Sequence, residues 1–159
     1  MTNVIGIDPS LDGTGIAYHD GSTVTCSGNG GDARLPMIQD YVAGAAQGAA
    51  LAVVEDLPTH AHGAGKTGMA HGVVRLTLMT HGVPYRTVTP ATLKKFATGK
   101  GNCTKPDMRM SLYQRAGLDI RDDNQVDAWW LRELGLHLIG EPTLELPKTH
   151  LAALDKVHT

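Results

Sequence analysis

Residues 4–18 read VIGIDPSLDGTGIAY, an apolar run that ends in an acid and a turn before a second apolar run. Residues 4–7 predict a buried β-strand, and residues 13–15 supply turn chemistry before a second strand at residues 16–18. Asp8 therefore ends a buried strand, where an uncompensated carboxylate is costly. Three alternative explanations stay open for this charge. Asp8 binds a metal ion, belongs to a loop that handles phosphate, or lies at a strand end that is exposed to solvent.

The hydrophobic pattern of the remaining chain predicts an α/β domain. Apolar residues alternate in strands and recur every three or four positions in helices, and this difference separates the two kinds of element. The order predicts a mixed five-stranded sheet, an antiparallel meander of strands 1–3 plus parallel strands, flanked by helices. The further strands are expected at residues 23–26, 51–54 and 83–88, and the helices at residues 32–48, 69–80, from 90 onward, 106–116 and 123–138.

Length and charge limit the classes of protein that fit. The 159 residues are enough for one domain, and the net charge of -2 gives no overall basic field, so a polyanion would need a local basic patch. Two distant cysteines predict reduced thiols and a cytoplasmic protein, and no apolar run is long enough to span a membrane. We expect one domain over residues 1–140 and a loosely ordered tail over residues 141–159, which holds Pro142 and Pro147.

Further acids repeat the anomaly of Asp8. Glu55 follows the apolar strand at residues 51–54, and Asp123 and Asp127 share one face of an apolar helix that begins DNQVDAWWL. Clustered carboxylates repel one another and raise each other's pKa unless a cation lies between them. Oxygen ligands of this kind suit Mg²⁺ or Mn²⁺, so the set predicts a site for two such ions. The alternative is that these acids only cap strand and helix ends.

The motif GIDPSLDGTGIAY, the strand ending in Glu55 and the helix with Asp127-Ala128 together resemble the RuvC-type Holliday junction resolvases of the RNase H-like superfamily. The resemblance runs from residue 1 to about residue 140, and the DDNQVDA form is most similar to phage-encoded members. It implies that Asp8, Glu55 and Asp127 are catalytic metal ligands. The family's fourth acid falls on Asn124 here, so either Asp123 or Asn124 is the fourth ligand.

This resemblance also implies an activity and its partners. The expected protein is a homodimeric, Mg²⁺-dependent endonuclease that resolves four-way junctions by paired phosphodiester hydrolysis, without a nucleotide cofactor and away from membranes. For a phage-encoded member the location is the host-cell cytoplasm. Two other functions stay open: a broader RNase H-like nuclease for flaps, forks or hybrids, and a non-catalytic module that binds branched DNA.

A basic, glycine-containing stretch follows the last predicted strand. Its cations could contact DNA phosphates, and the resemblance places two of them, Lys94 and Lys105, near the scissile phosphate. The alternative is a solvated face with no ligand. The candidate DNA-binding residues are Lys94, Lys95, Lys100, Lys105 and Arg109.

Two motifs in the chain are misleading. HGAGKTG at residues 62–68 looks like a phosphate-binding loop, but His60 stands where that motif requires a glycine. We expect residues 58–68 to form a mobile loop that faces DNA. His60 and His62 have no third zinc ligand at a suitable spacing, so they are expected to be surface histidines.

Overall fold

The computed structural model describes residues 1–28, 30–57 and 64–157. Its centre is a five-stranded sheet in the order β3-β2-β1-β4-β5. The first three strands form an antiparallel meander, and β4 and β5 run parallel to β1, which confirms the predicted mixed topology. The strands are β1 (Val4–Asp8), β2 (Thr14–Ala17), β3 (Thr23–Cys26), β4 (Leu51–Glu55) and β5 (Tyr85–Val88).

Helices cover both faces of this sheet. One apolar core joins α1 and α2 to the sheet, and a second core joins the remaining helices to its other face. No helix of the described residues is long and apolar enough to cross a membrane. The helices are α1 (Arg34–Ala46), α2 (Ala64–Thr80), α3 (Pro90–Thr98), α4 (Lys105–Ala116), α5 (Asp123–Leu138) and α6 (Lys148–Leu151), with 3₁₀ turns at Gly31–Ala33 and Ala152–Lys156.

The alternation of β1 decides which residues face α5. Ile5 and Ile7 belong to the core under α1 and α2, and Val4 belongs to the core under α5. Since side chains alternate along a strand, Gly6 and Asp8 point to the same face as Val4. The last residue of β1 therefore turns its carboxylate toward α5.

Helix α5 lies unusually close to the sheet because glycines stand at the contact. A Cβ atom on Gly6 would overlap the Ala128 carbonyl oxygen, and one on Gly15 would overlap the Asn124 carbonyl oxygen. A Cβ on Gly135 would lie 2.6 Å from a methyl carbon of Val4. The backbone of α5 can approach β1 and β2 only because these three positions lack a side chain.

The C-terminal segment differs from the loosely ordered tail that its prolines predict. Residues 141–157 pack against the domain, and Ala153 and His150 in this segment are buried. The buried carboxylate of Glu133 accepts hydrogen bonds from the Thr143 and Leu144 backbone amides, at 2.8 and 3.0 Å. The His150 ring nitrogen Nδ1 lies 2.8 Å from the Phe96 carbonyl oxygen, which fastens the segment to α3.

The glycine-rich region before α2 also differs in part from prediction. Helix α2 begins at Ala64 instead of residue 69, so residues 64–68 are helical and are not part of a loop. Residues 58–63, with His60 and His62, lie outside the described residues. Lys66 and Thr67 lie in the first turn of α2, where a phosphate-binding loop also places its lysine and threonine, so the observation against that motif remains the histidine at position 60 of the sequence.

Candidate active site

Three carboxylates lie near one another where the ends of β1 and β4 approach α5. Asp8 and Glu55 end the parallel neighbours β1 and β4, one residue beyond the pair Ile7–Val54 in the register. Asp127 lies in α5 directly before Ala128, whose carbonyl is against Gly6 of β1. Asp8 is 8% exposed, and the other two are partly buried. The structure thus brings together three of the acids that the sequence singles out.

Burial and mutual repulsion raise the pKa of these carboxyl groups. Burial raises the pKa of Asp8 well above its usual range, and the charges of Glu55 and Asp127 raise it further. Burial and then Asp127 raise the pKa of Glu55 to about 8. Burial raises the pKa of Asp127 to about 6, with Asp123 adding to the effect. Within residues 1–28, 30–57 and 64–157, no hydrogen bond is among the causes of these shifts, so the negative charge is left for cations to compensate.

Two lysines supply part of that compensation. Lys105 lowers the pKa of all three carboxyl groups, and Lys94 lowers the pKa of Glu55 and Asp127. Lys105 is the first residue of α4, and Lys94 lies within α3. Two helices that follow β5 therefore turn one ammonium group each toward the acids.

The position of Lys105 depends on a helix cap that our sequence analysis overlooks. The Thr104 hydroxyl accepts a hydrogen bond from the Asp107 amide, and the Asp107 carboxylate accepts one from the Thr104 amide, at 3.3 and 2.9 Å. This reciprocal capping box fixes the first turn of α4. The signal was present in the sequence, since Thr104 precedes an acid by three residues.

Three consecutive polar residues at the start of α5 have different partners. Asp122, which the sequence analysis does not single out, caps the helix by accepting hydrogen bonds from the Asn124 and Gln125 amides. Asp123 Oδ1 is 2.7 Å from both Nε and an Nη of Arg109. The Asn124 side-chain amide lies against Gly13, in the turn between β1 and β2. The two candidates for a fourth ligand thus have different partners.

The five residues of the predicted basic patch lie in different places. Lys94 and Lys105 lower the pKa of the carboxyl groups, and Arg109 forms an ion pair with Asp123. Lys95 instead lines a groove with Gly101 and Asp155, and Lys100 lines another with His150. Neither contributes to the pKa shifts of the three acids. Three of the five predicted cations therefore lie near acids of the candidate site, and the other two line separate grooves.

The donor set fits hard divalent cations by its chemistry. Three carboxylates that accept no hydrogen bond from the described part of the chain offer the oxygen ligands that Mg²⁺ and Mn²⁺ prefer. Within residues 1–28, 30–57 and 64–157, however, no three acidic, His or Cys side chains are grouped closely enough to hold an ion as they stand. The fit thus rests on donor type and uncompensated charge, not on a preformed ligand cluster.

The raised pKa values make stability depend on pH. A carboxyl group whose pKa is raised on folding contributes stability below its unfolded pKa and loses it as pH rises through the folded value. Burial lowers the pKa of His71 and His150, so they titrate in a more acidic range. Without divalent metal, we expect the free energy of unfolding to fall by about 1–2 kcal/mol between roughly pH 6.5 and 8.5.

Thermal unfolding in EDTA across this range measures the fall. Glu55→Gln removes the group with a pKa of about 8 and should flatten the curve. A wild-type midpoint that is constant or rises with pH would contradict the electrostatic description of the site.

Comparison with known proteins identifies the fold. A structure of Thermus thermophilus RuvC in complex with a Holliday junction substrate matches with a TM-score of 0.72 and 21% identity, covering 91% of this chain and 100% of that one. A second Thermus thermophilus RuvC structure matches over the same shares at 21% identity with a TM-score of 0.69. No protein-family model and no curated protein matches the sequence. The chain has a RuvC-like, RNase H-like α/β fold.

Proposed function

We propose that the protein is a metal-dependent endonuclease that resolves four-way DNA junctions. The observation that carries the proposal is that Asp8 and Glu55, at the ends of neighbouring strands, and Asp127 on α5 are close enough to raise one another's pKa, with Lys94 and Lys105 nearby. The RuvC-like fold supports it, because the matched structure contains a Holliday junction substrate. Acids at the carboxyl-terminal ends of two central strands, with two cations nearby, suit hydrolysis of a phosphodiester.

The three carboxylates would hold two Mg²⁺ ions, for which Mn²⁺ could substitute. Bound ions of this kind lower the pKa of water and stabilise the charge on a leaving oxygen. Lys94 and Lys105 would bind the scissile phosphate and offset the repulsion between it and the acids. The products would carry 5′-phosphate and 3′-hydroxyl ends.

The fourth ligand is proposed to be Asp123. Its Oδ1 is engaged by Arg109, and it raises the pKa of Asp127, which indicates that the two acids are close. Asn124 is the neutral alternative, one residue further along α5. Asp123→Asn and Asn124→Ala therefore separate the two assignments, because only the true ligand should change the metal concentration required for cleavage.

A test of the proposed function is cleavage of an immobile four-way junction beside flap, fork and linear duplex substrates. We expect paired, symmetric nicks in the junction that require Mg²⁺ and disappear in EDTA. Equal cutting of flaps and junctions would instead indicate a general branch nuclease. Tight binding without cleavage would indicate a non-catalytic module. Either result would overturn the proposal of a resolvase.

We propose that the active form is a homodimer joined through α2. Three large apolar side chains, Met69, Leu76 and Met79, are exposed along this helix, and Leu76 is 62% exposed. Their spacing of seven and three residues places them on one side of the helix. A resolvase needs two active sites for paired cuts, and a self-complementary apolar stripe would supply the contact between copies.

Leu76→Glu should therefore separate the dimer into monomers. Two carboxylates would be buried at a symmetric contact, which should raise the dissociation constant about a hundredfold. Sedimentation equilibrium measures the change, with Leu118→Glu as the control at an exposed leucine outside α2. A wild-type monomer, or a Leu76→Glu dimer of unchanged affinity, would exclude this interface.

Two remaining properties are also proposed. The location would be the cytoplasm, that of a host cell if a phage encodes the protein. No nucleotide cofactor would be required.

A further inference from the structure

Helix α4 carries an exposed aromatic side chain that the proposed chemistry does not use. The chain has one Phe, two Trp and four Tyr. Phe96, Trp129 and Trp130 are buried. Tyr113, on α4, is 59% exposed, and the next most exposed aromatic residue is Tyr41 at 37%. The sequence thus contains few aromatic rings, and the ring that is most open to solvent is on the helix that also carries Lys105.

Tyr113 lies in line with the candidate active site. Lys105, Arg109 and Tyr113 are spaced four residues apart, so they form one stripe along α4. Lys105 lies near the three carboxylates and lowers their pKa, and Arg109 forms an ion pair with Asp123. The stripe therefore starts beside the acids with two cations and ends, farther from them, at an aromatic ring.

The ring borders an open groove. This groove has a volume of about 390 Å³ and is lined by Pro106, Arg109, Met110, Tyr113 and Asp119. Pro106, Met110 and Tyr113 supply apolar surface to the groove, and Met110 is 55% exposed. Both charged residues of the lining have a partner of opposite charge, Arg109 with Asp123 and Asp119 with Arg121 at 3.6 Å. Neither charge therefore favours a phosphate inside the groove, and an uncharged flat group suits its apolar surface.

We propose that Tyr113 stacks on an unpaired base of the DNA strand that enters the active site, and so positions that strand for cutting. This inference rests on the proposed function, because it assumes that DNA binds at Lys105. Exposed aromatic side chains beside cations are the usual platforms for bases of single-stranded DNA. Arg109 would contact the backbone between the base and the scissile phosphate.

Helix geometry gives the position of the stacked base. Eight residues of α-helix separate Lys105 from Tyr113, a rise of about 12 Å. One strand of DNA advances about 3.4 Å per nucleotide. The base on Tyr113 should therefore lie roughly three nucleotides from the scissile phosphate.

The test is binding of a fluorescent four-way junction in EDTA, where no cleavage occurs. Tyr113→Ala should weaken binding about tenfold, and Tyr113→Phe should stay within about twofold of wild type, because stacking needs only the ring. Tyr41→Ala is the matched control at the other exposed tyrosine and should not change affinity. In parallel, 2-aminopurine replaces each base near the cut, and its fluorescence should change about three nucleotides away in wild type but not in Tyr113→Ala.

The outcomes separate this inference from the proposed function. A wild-type protein that binds no branched DNA would overturn both. Normal junction binding by Tyr113→Ala would overturn the stacking role alone. An equal loss in Tyr113→Phe would assign the effect to the hydroxyl group, and a change of oligomeric state in Tyr113→Ala would assign this face to a second copy of the chain; each result contradicts base stacking.

Discussion

Asp8→Asn is expected to lower the rate of junction cleavage about a thousandfold or more while raising the stability of the metal-free protein. The two effects have one cause. Asp8 is buried, and the charges of Glu55 and Asp127 raise its pKa further, so its ionised form is costly in the absence of a cation and stabilising in the presence of one. Asparagine keeps the shape of the side chain and removes the charge.

The expected gain in stability separates an active-site role from a structural one. A carboxylate that capped a strand would make the protein less stable when it was changed to asparagine. Relief of buried repulsion should instead raise the unfolding midpoint by about 2–4 °C for each kcal/mol gained, measured in EDTA near neutral pH. Added Mg²⁺ should stabilise wild type and have a smaller effect on Asp8→Asn.

Asp12→Asn provides the matched control for this experiment. Asp12 follows Asp8 by four residues, and its side chain is 89% exposed. The same chemical change there should leave both cleavage and the response to Mg²⁺ close to wild type. An Asp8→Asn protein that still cleaves, or one that is less stable than wild type in EDTA, would contradict the assignment of Asp8 to the metal site.

The sheet and its topology could be predicted from the sequence because their signals are local. The apolar runs at β1 and β4 and the turn between β1 and β2 each lie within a few residues. Docking of the C-terminal segment could not be predicted, since it depends on Glu133 meeting the backbone of Thr143 and Leu144. In the sequence, Glu133 is one more charged residue in a helix, and only the fold buries it.

The candidate site likewise contains residues that could be predicted from the sequence and contacts that could not. Asp8 and Glu55 could be identified because each acid follows an apolar strand, and parallel neighbours bring their ends together. The pairing of Arg109 with Asp123 joins two helices whose relative orientation no periodicity encodes. Nearness in sequence groups Lys95 and Lys100 with Lys94 and Lys105, whereas in the structure Lys95 and Lys100 line two other grooves.

Gly6→Ala is expected to cost about 3 kcal/mol or more of folding free energy, although it adds a single methyl group. Gly6 is in the middle of β1, and the added carbon would overlap the backbone carbonyl of Ala128 in α5. Backbone atoms cannot rotate away as a side chain can, so α5 would have to lift from the sheet. Asp127, next to Ala128, would then move away from Asp8, and cleavage should fall with stability.

Denaturant unfolding measures the loss, and Gly44→Ala is the matched control. Gly44 lies in α1 with nothing within 4 Å of an added Cβ. There the same substitution should be neutral or should stabilise the protein by about 0.5–1 kcal/mol, because alanine favours a helix. A Gly6→Ala protein as stable as wild type would show that α5 does not lie against β1 at this point. The close contact that brings Asp127 to the ends of β1 and β4 would then be wrong, and with it the geometry of the proposed site.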